Sequence, residues 1–301
     1  MLDKKAYSTI FYARRSVQIG INMSIKAVFL DLDGTLLNDE KIISQKNIST
    51  LKHFASKGIK FIVSTGRNYT GVLPVLNNIN FIDYIITSNG AAVYDRHTGK
   101  PIITDFMSNG LAISLAESLD LENIMFDIFV NGEAYMEEKN IEFLKHVDTP
   151  EAIRNFILHN RIIVPSIMDY LITSKKDIEK VTINFKTLPD GTIFKRAETI
   201  DIIKSFLSLS CVTGGSNNVE VTLSEATKGH AMRKLVNLLN IPISDTAAMG
   251  DSENDLHIIE TAGVGIAMGN ADDMIKSAAD FVTLTNEEDG VSYALENILN
   301  L

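Results

Sequence analysis

Two aspartates one residue apart follow an apolar run in Phe29-Leu30-Asp31-Leu32-Asp33-Gly34-Thr35. Ser64-Thr65-Gly66-Arg67 and Gly250-Asp251-Ser252-Glu253-Asn254-Asp255 each follow another apolar run, and Thr227-Lys228-Gly229 opens a helical stretch. Brought together, Asp31, Asp33, Asp251 and Asp255 would repel one another without a cation. Ligands that are all oxygen, with no Cys or His, point to a hard ion. Mg²⁺ fits best, because it takes one or two carboxylates plus water and substrate phosphate. A lysine, a hydroxyl and backbone N–H groups near Gly34 would then hold a phosphoryl group, with Gly34 letting it approach the backbone. Phosphate monoesters hydrolyse so slowly unaided that enzymes accelerate the reaction by up to ~10²¹. A carboxylate nucleophile divides it into two easier steps through an aspartyl-phosphate.

Each cluster also has a plainer reading. Asp31 and Asp33 alone make an acidic turn. Thr65-Gly66-Arg67 alone is a capped helix start with a solvated arginine, and Lys228 alone is a surface lysine. Asp251 and Asp255 suit the N-terminus of a helix through its dipole. Asn89-Gly90 suits a tight turn. The scattered histidines show no ligand spacing, His257 reads as a helix-surface residue, and the methionines read as core filling. The chemical reading is stronger because three clusters follow strands, and doubly wound sheets bind ligands beyond the carboxyl ends of their strands.

The elements that must position these residues follow from periodicity. Ile25 to Leu30 reads as a strand buried on both faces. Ser44 suits an N-cap, Ile48, Leu51, Phe54 and Ala55 recur at helical spacing, and Gly58 suits a stop. Strands are expected at residues 60–66 and 84–90, so strand and helix alternate as in a parallel sheet with right-handed crossovers. The last third repeats the pattern. It has a helix over 227–240 with Ala231, Leu235, Leu238 and Leu239 on one side, a strand over 246–251 and a helix ending at Gly263. Short strands at 264–270 and 280–285 and a helix over 290–299 follow. The middle differs: its strand candidates at 124–130, 133–138, 180–187 and 217–223 partly alternate, which predicts a sheet with one wet face. The expected class is α/β, a doubly wound, mostly parallel sheet whose core (23–105 and 225–301) is interrupted by an α+β domain (106–224).

The 301 residues carry a net charge of −10, which disfavours a general nucleic-acid binder. The single Cys211 excludes an intrachain disulfide, reads as a structural thiol and fits a reducing cytoplasm. No apolar run approaches a membrane span. Residues 1–22 carry Lys4, Lys5, Arg14 and Arg15 without a secretory apolar segment. They read as a dispensable extension or upstream start, or as a short helix packing on the body or on a partner.

The ordered set Asp31-Leu32-Asp33-Gly34-Thr35, Thr65-Gly66-Arg67, Lys228 and Gly250 to Asp255 closely resembles the four motifs of the haloacid dehalogenase superfamily of phosphatases. Ser88-Asn89-Gly90-Ala91, Gly263 to Ala271 and Glu287 to Val291 resemble its Cof-type branch with a subclass IIB cap. The resemblance covers residues 23–301. It implies Asp31 as nucleophile and Asp33 as the acid that protonates the leaving oxygen and then activates water. It implies that Mg²⁺ is held by Asp31, the backbone carbonyl of Asp33, and Asp251, with Asp255 in support directly or through water. Thr65 and Lys228 would bind phosphate and stabilise the transition state, while Gly66, Arg67, Asn89 and Asn254 would lie on the substrate side. Asp33 argues against a true dehalogenase. The implied substrate is a small phosphorylated metabolite, a sugar phosphate first, selected by the cap. A phosphomutase or phosphotransferase on the same scaffold, and a receiver-like phospho-switch, are the alternatives.

Overall fold

The computed structural model describes residues 24–213 and 217–301, so the expectation for residues 1–22 lies outside the described residues. The first strands are β1 (Ala27–Leu30), β2 (Lys60–Ser64), β3 (Ile82–Thr87), β4 (Ala92–Asp95) and β5 (Lys100–Thr104). The middle of the chain supplies β6 (Met125–Val130), β7 (Glu133–Glu137), β8 (Ile162–Val164), β9 (Lys180–Asn184), β10 (Leu209–Val212) and β11 (Asn218–Leu223). The last are β12 (Thr246–Gly250), β13 (Val264–Ala267) and β14 (Phe281–Val282). They form an eight-stranded sheet ordered β14-β13-β12-β1-β2-β3-β4-β5 and a six-stranded sheet ordered β10-β11-β9-β6-β7-β8.

All four residues of β1 are buried. Val28 and Leu30 enter one apolar cluster and Ala27 and Phe29 the opposite one, as the two-residue period of a strand covered on both faces requires. The strands from β14 to β3 pair in parallel, and β4 and β5 extend the sheet antiparallel. From β1 the chain moves outward through β2 and β3, whereas β12 joins β1 on its other edge. The order therefore reverses between β1 and β12, where a ligand crevice is expected.

Helix Gln45–Ser56 starts at Ser44, whose hydroxyl accepts the Asn47 N–H at 3.0 Å, and Gly58 follows it at φ +95°. Helix Lys228–Leu238 is capped by Thr227 and buries Ala231, Met232, Leu235 and Val236. Leu238, expected on that face, is 56% exposed. The buried stripe runs along 228, 231, 232 and 235, and Leu238 falls on its margin in the final turn.

The second sheet packs Phe126, Ile128, Val181, Ile183, Val219 and Val221 into its own apolar cluster. Phe106 packs on the first sheet's cluster and Met107 on the second's, so the chain changes core between adjacent residues. The expected wet face is corrected: β6 and β9 are buried along their whole lengths. Their non-cluster face, with Asp127, Lys180, Thr182 and Asn184, is polar but covered. Met125 and Met136 pack under Phe143, Leu144, Val147 and Ile157 from the β7–β8 connection, and Lys180 reaches the loop after β2. No helix among the described residues is long and apolar enough to cross a membrane.

Candidate active site

Asp31 immediately follows β1, and its backbone N–H donates to the Met249 carbonyl of β12 at 3.0 Å. The strand end therefore sits at the point where the sheet order reverses. Lys228, the first residue of its helix, is fully buried and donates from Nζ to Asp31 Oδ1 and Asp255 Oδ1, both at 2.6 Å. Two carboxylates on one ammonium compensate its desolvation. Burial alone would lower the Lys228 pKa; Asp255 and Asp31 outweigh it and raise it.

Asp255 belongs to the turn after β12. Its Oδ2 accepts the backbone N–H groups of Asp251 at 3.1 Å and Ser252 at 3.2 Å, fixing the loop on which Asp251 stands. Asp251 accepts from the Thr35 hydroxyl at 3.1 Å and the Ser252 hydroxyl at 3.0 Å. Gly34, at φ +83°, lies so close to Asp251 that a Cβ there would collide with its carboxylate. Ligand oxygens of Asp31, Asp251 and Asp255 lie within 4.8 Å of one another. Burial and the neighbouring Asp255 raise the Asp31 carboxyl well above its ordinary range, and the same two causes push Asp251 up to about 6. Negative charge at this point exceeds what Lys228 balances. The all-oxygen donor set and that excess fit a hard divalent cation.

Asp33 is placed differently. Its carboxylate points to Arg67, which binds it bidentately with Nε–Oδ2 and Nη2–Oδ1 both at 2.7 Å, and Lys41 adds a third contact at 2.9 Å. Burial would raise its pKa, but Arg67 and then Lys41 bring it down to about 2. The Arg67 guanidinium lies over the Phe156 ring, 4.9 Å from its centroid.

Thr65 is buried at the end of β2, with its backbone N–H on the Ile86 carbonyl and its hydroxyl accepting the Arg67 N–H at 3.2 Å. Asn89 donates its N–H to the Thr65 carbonyl, and its side-chain oxygen accepts from Asn254 at 3.1 Å. An added Cβ on Gly66 would lie 2.8 Å from Asn89 Oδ1, so Gly66, Asn89 and Asn254 form one contact. The structure thus gathers Asp31, Gly34, Lys228, Asp251 and Asp255 around one point. Asp33 with Arg67, and Gly66 with Asn89 and Asn254, flank it.

Several residues at the site were not singled out from sequence. Thr35 and Ser252 lie inside the motifs, so their position was the available signal. Lys41, Lys180 and Glu220 carried none, since an isolated Lys or Glu reads as a solvated surface group.

A model of haloacid dehalogenase-like hydrolases matches residues 28–295. Among curated relatives, phosphatase YwpJ of Bacillus subtilis is 31% identical over 288 residues, covering 91% of this chain and all of that protein. The 5-amino-6-(5-phospho-D-ribitylamino)uracil phosphatase YcsE of the same organism is 27% identical, covering 92% of this chain and 96% of its own. Among solved structures, a haloacid dehalogenase-like hydrolase from B. subtilis superposes with a TM-score of 0.80 at 28% identity, covering 91% of this chain and all of that one. With the motif residues gathered at the strand ends of a doubly wound sheet, the chain belongs to the haloacid dehalogenase-like hydrolase family, among its phosphatases.

Proposed function

We propose that the chain hydrolyses a small polyhydroxylated phosphate ester through an aspartyl-phosphate on Asp31, with Mg²⁺ as cofactor. The observation carrying this reading is the Asp31–Lys228–Asp255–Asp251 constellation at the sheet's reversal point. Asp31, the backbone carbonyl of Asp33, Asp251 and Asp255 would hold the ion. When bound, it neutralises phosphoryl oxygens and the crowded carboxylates. Thr65 and Lys228 hold the phosphoryl oxygens while an Asp31 oxygen attacks phosphorus and the ester P–O bond breaks. Asp33 protonates the leaving oxygen, then takes a proton from the water that cleaves the aspartyl-phosphate, which regenerates Asp31 and frees phosphate. A carboxylate paired as Asp33 is here is a poor proton donor. Its acid role requires that, as the ester binds, it leave Arg67, take up a proton from solvent and carry that proton to the leaving oxygen.

Residues 106–224 act as a cap that covers the crevice and excludes water. Its inner face presents buried polar atoms without a hydrogen-bond partner: Asp127 Oδ1, Thr182 Oγ1 and Asn184 Nδ2. Asp127 and Thr182 are cross-strand neighbours. Hydroxyl groups, each donor and acceptor at once, suit atoms of these kinds. The Phe129 ring is already engaged by Arg161 and Lys180, which leaves it a poor platform for a flat aromatic group. The ribityl phosphate part of the substrate named for YcsE has the matching hydroxyls, whereas its uracil ring has no such counterpart among the described residues of this face. The protein works on soluble metabolites in the cytoplasm.

A panel of sugar, polyol, nucleotide and aryl phosphates tests this, with products identified. Free phosphate, released fastest from polyhydroxylated esters, is expected. An isomerised sugar phosphate without free phosphate would establish a mutase, and a stable phosphoprotein without turnover a switch.

A further inference from the structure

Three consecutive residues, Ser88, Asn89 and Gly90, adopt positive φ angles of 50°, 59° and 106°. Glycine tolerates this region and asparagine visits it readily; serine holds it only where its surroundings impose it. The turn touches three of the four segments that carry the site. The Ser88 N–H donates to the Arg67 carbonyl and the Asn89 N–H to the Thr65 carbonyl. The Asn89 side-chain oxygen accepts from Asn254, in the loop that carries Asp251. Gly90 lies against the Thr227 carbonyl and the Lys228 N–H, where a Cβ would not fit. A displacement of this turn therefore moves Thr65, Lys228 and the Asp251 loop together.

What holds the turn comes from the second sheet. Glu179, with no exposed surface, accepts from the Ser88 hydroxyl at 2.8 Å, the Tyr94 hydroxyl at 2.8 Å and the Gly132 N–H at 2.6 Å. The next residue, Lys180, is 1% exposed and donates to the Gly66 carbonyl at 2.6 Å and to Glu220 Oε1 at 2.5 Å. Glu220 Oε2 accepts from Asn89 Nδ2 at 2.6 Å. Glu179 and Lys180 are buried charges and Glu220 is partly buried, its side chain 15% exposed; such groups, held with their hydrogen bonds made, are costly to keep unless their geometry is used. Their core contacts, Tyr94 apart, all fall on the strained turn and on Gly66.

We infer that Glu179, Lys180 and Glu220 are positioning residues: docking the cap grips the Ser88–Gly90 turn and sets the phosphate-binding groups, so that catalytic geometry depends on the closed cap. This rests on the phosphatase reading above. None of the three needs to touch substrate. Their removal should therefore lower turnover of every ester by a common factor, unlike loss of a group that selects the leaving part.

The test is steady-state kinetics of Glu220→Ala, Glu220→Gln and Lys180→Met on one sugar phosphate and one aryl phosphate, with inorganic phosphate as competitive inhibitor. A misplacement near 1 Å lowers rates about 10²-fold, so kcat/KM should fall by about 10- to 100-fold equally for both esters. Inhibition by phosphate should weaken in parallel. Glu220→Gln preserves the side chain's shape and its acceptor for Asn89, so it should fall less than Glu220→Ala. It also keeps the test valid if the alanine variant does not fold. Asn89→Ala combined with Glu220→Ala should be no worse than the more damaging single change. Unchanged kcat/KM in folded variants, or a loss confined to the sugar phosphate, would overturn the inference. Wild-type protein that releases phosphate from no ester would instead overturn the phosphatase reading.

Discussion

The proposed mechanism gives Asp33 two tasks, and its surroundings favour one of them at rest. The bidentate Arg67 contact and Lys41 keep it ionised, ready to accept a proton from water. Its native pKa of about 2 lies below the ordinary 3.8, so the pair stabilises the fold above pH ~4 and that contribution is lost as pH falls toward 2. Asp33 is 39% exposed, so water screens the pair and its worth stays below about 1 kcal/mol. Thermal unfolding of Arg67→Met against pH should show a small deficit from wild type that is constant above pH ~5, shrinks below pH ~4 and is lost as pH falls through about 2. A deficit that grows on acidification would contradict the assigned contact. Asp33→Asn should lower kcat by about 10²- to 10⁴-fold, the range for loss of a general acid–base. Asp31, Lys228 and Asp251 were legible in sequence because strand and motif together place them. Arg67 was legible as a member of its motif, but its pairing with Asp33 was not. Lys180 and Glu220 meet partners 114 and 131 residues away in the chain, and no local pattern encodes such a meeting.

Helix Lys228–Leu238 brings a buried ammonium to the site by an ordinary device. Thr227 caps it, its hydroxyl accepting the His230 N–H at 3.1 Å, and the buried stripe from Ala231 to Val236 fixes its roll. Thr227→Ala should destabilise the protein by about 1 kcal/mol in denaturant unfolding, the usual worth of an N-cap. It should also slow turnover, because the cap residue adjoins Lys228. Leu235→Ala should cost about 2–5 kcal/mol, as for a fully buried leucine. An unchanged unfolding midpoint in either variant would contradict these roles. The strands next to the motifs were readable from apolar runs. Strands β4 and β5 were not, since Pro101 interrupts one short run and pairing completes it only in the sheet. The inner face of the second sheet was misread as wet because alternation reports polarity, and the groups that cover this polar face come from distant segments.

For the whole molecule, two sheets with separate apolar clusters meet through polar contacts: Glu179, Lys180 and Glu220, and Thr70 donating to Glu133 at 2.9 Å. An interface of this kind supports relative motion of its two sides, which suits the proposed role of the second sheet as a cap. The change in strand pattern made the presence of a second sheet legible, whereas the contacts between the two sheets were not. The proposed ion, held by the crowded carboxylates, would be felt as stability of the whole protein. Mg²⁺ at a hundred times its Kd should add about 2.7 kcal/mol of stability, seen as a raised Tm that Asp251→Asn abolishes. No shift in wild type would contradict the assigned centre. The central claim is that a carboxylate on Asp31 takes the phosphoryl group with a metal's help. Phosphate release from a small ester by wild type and Asp31→Asn, each in Mg²⁺ and in EDTA, tests it most directly. Release in Mg²⁺ that stops in EDTA and falls at least about 10⁴-fold in Asp31→Asn is expected, as for loss of a nucleophile. Release at full rate by folded Asp31→Asn, or by wild type in EDTA, would contradict the account.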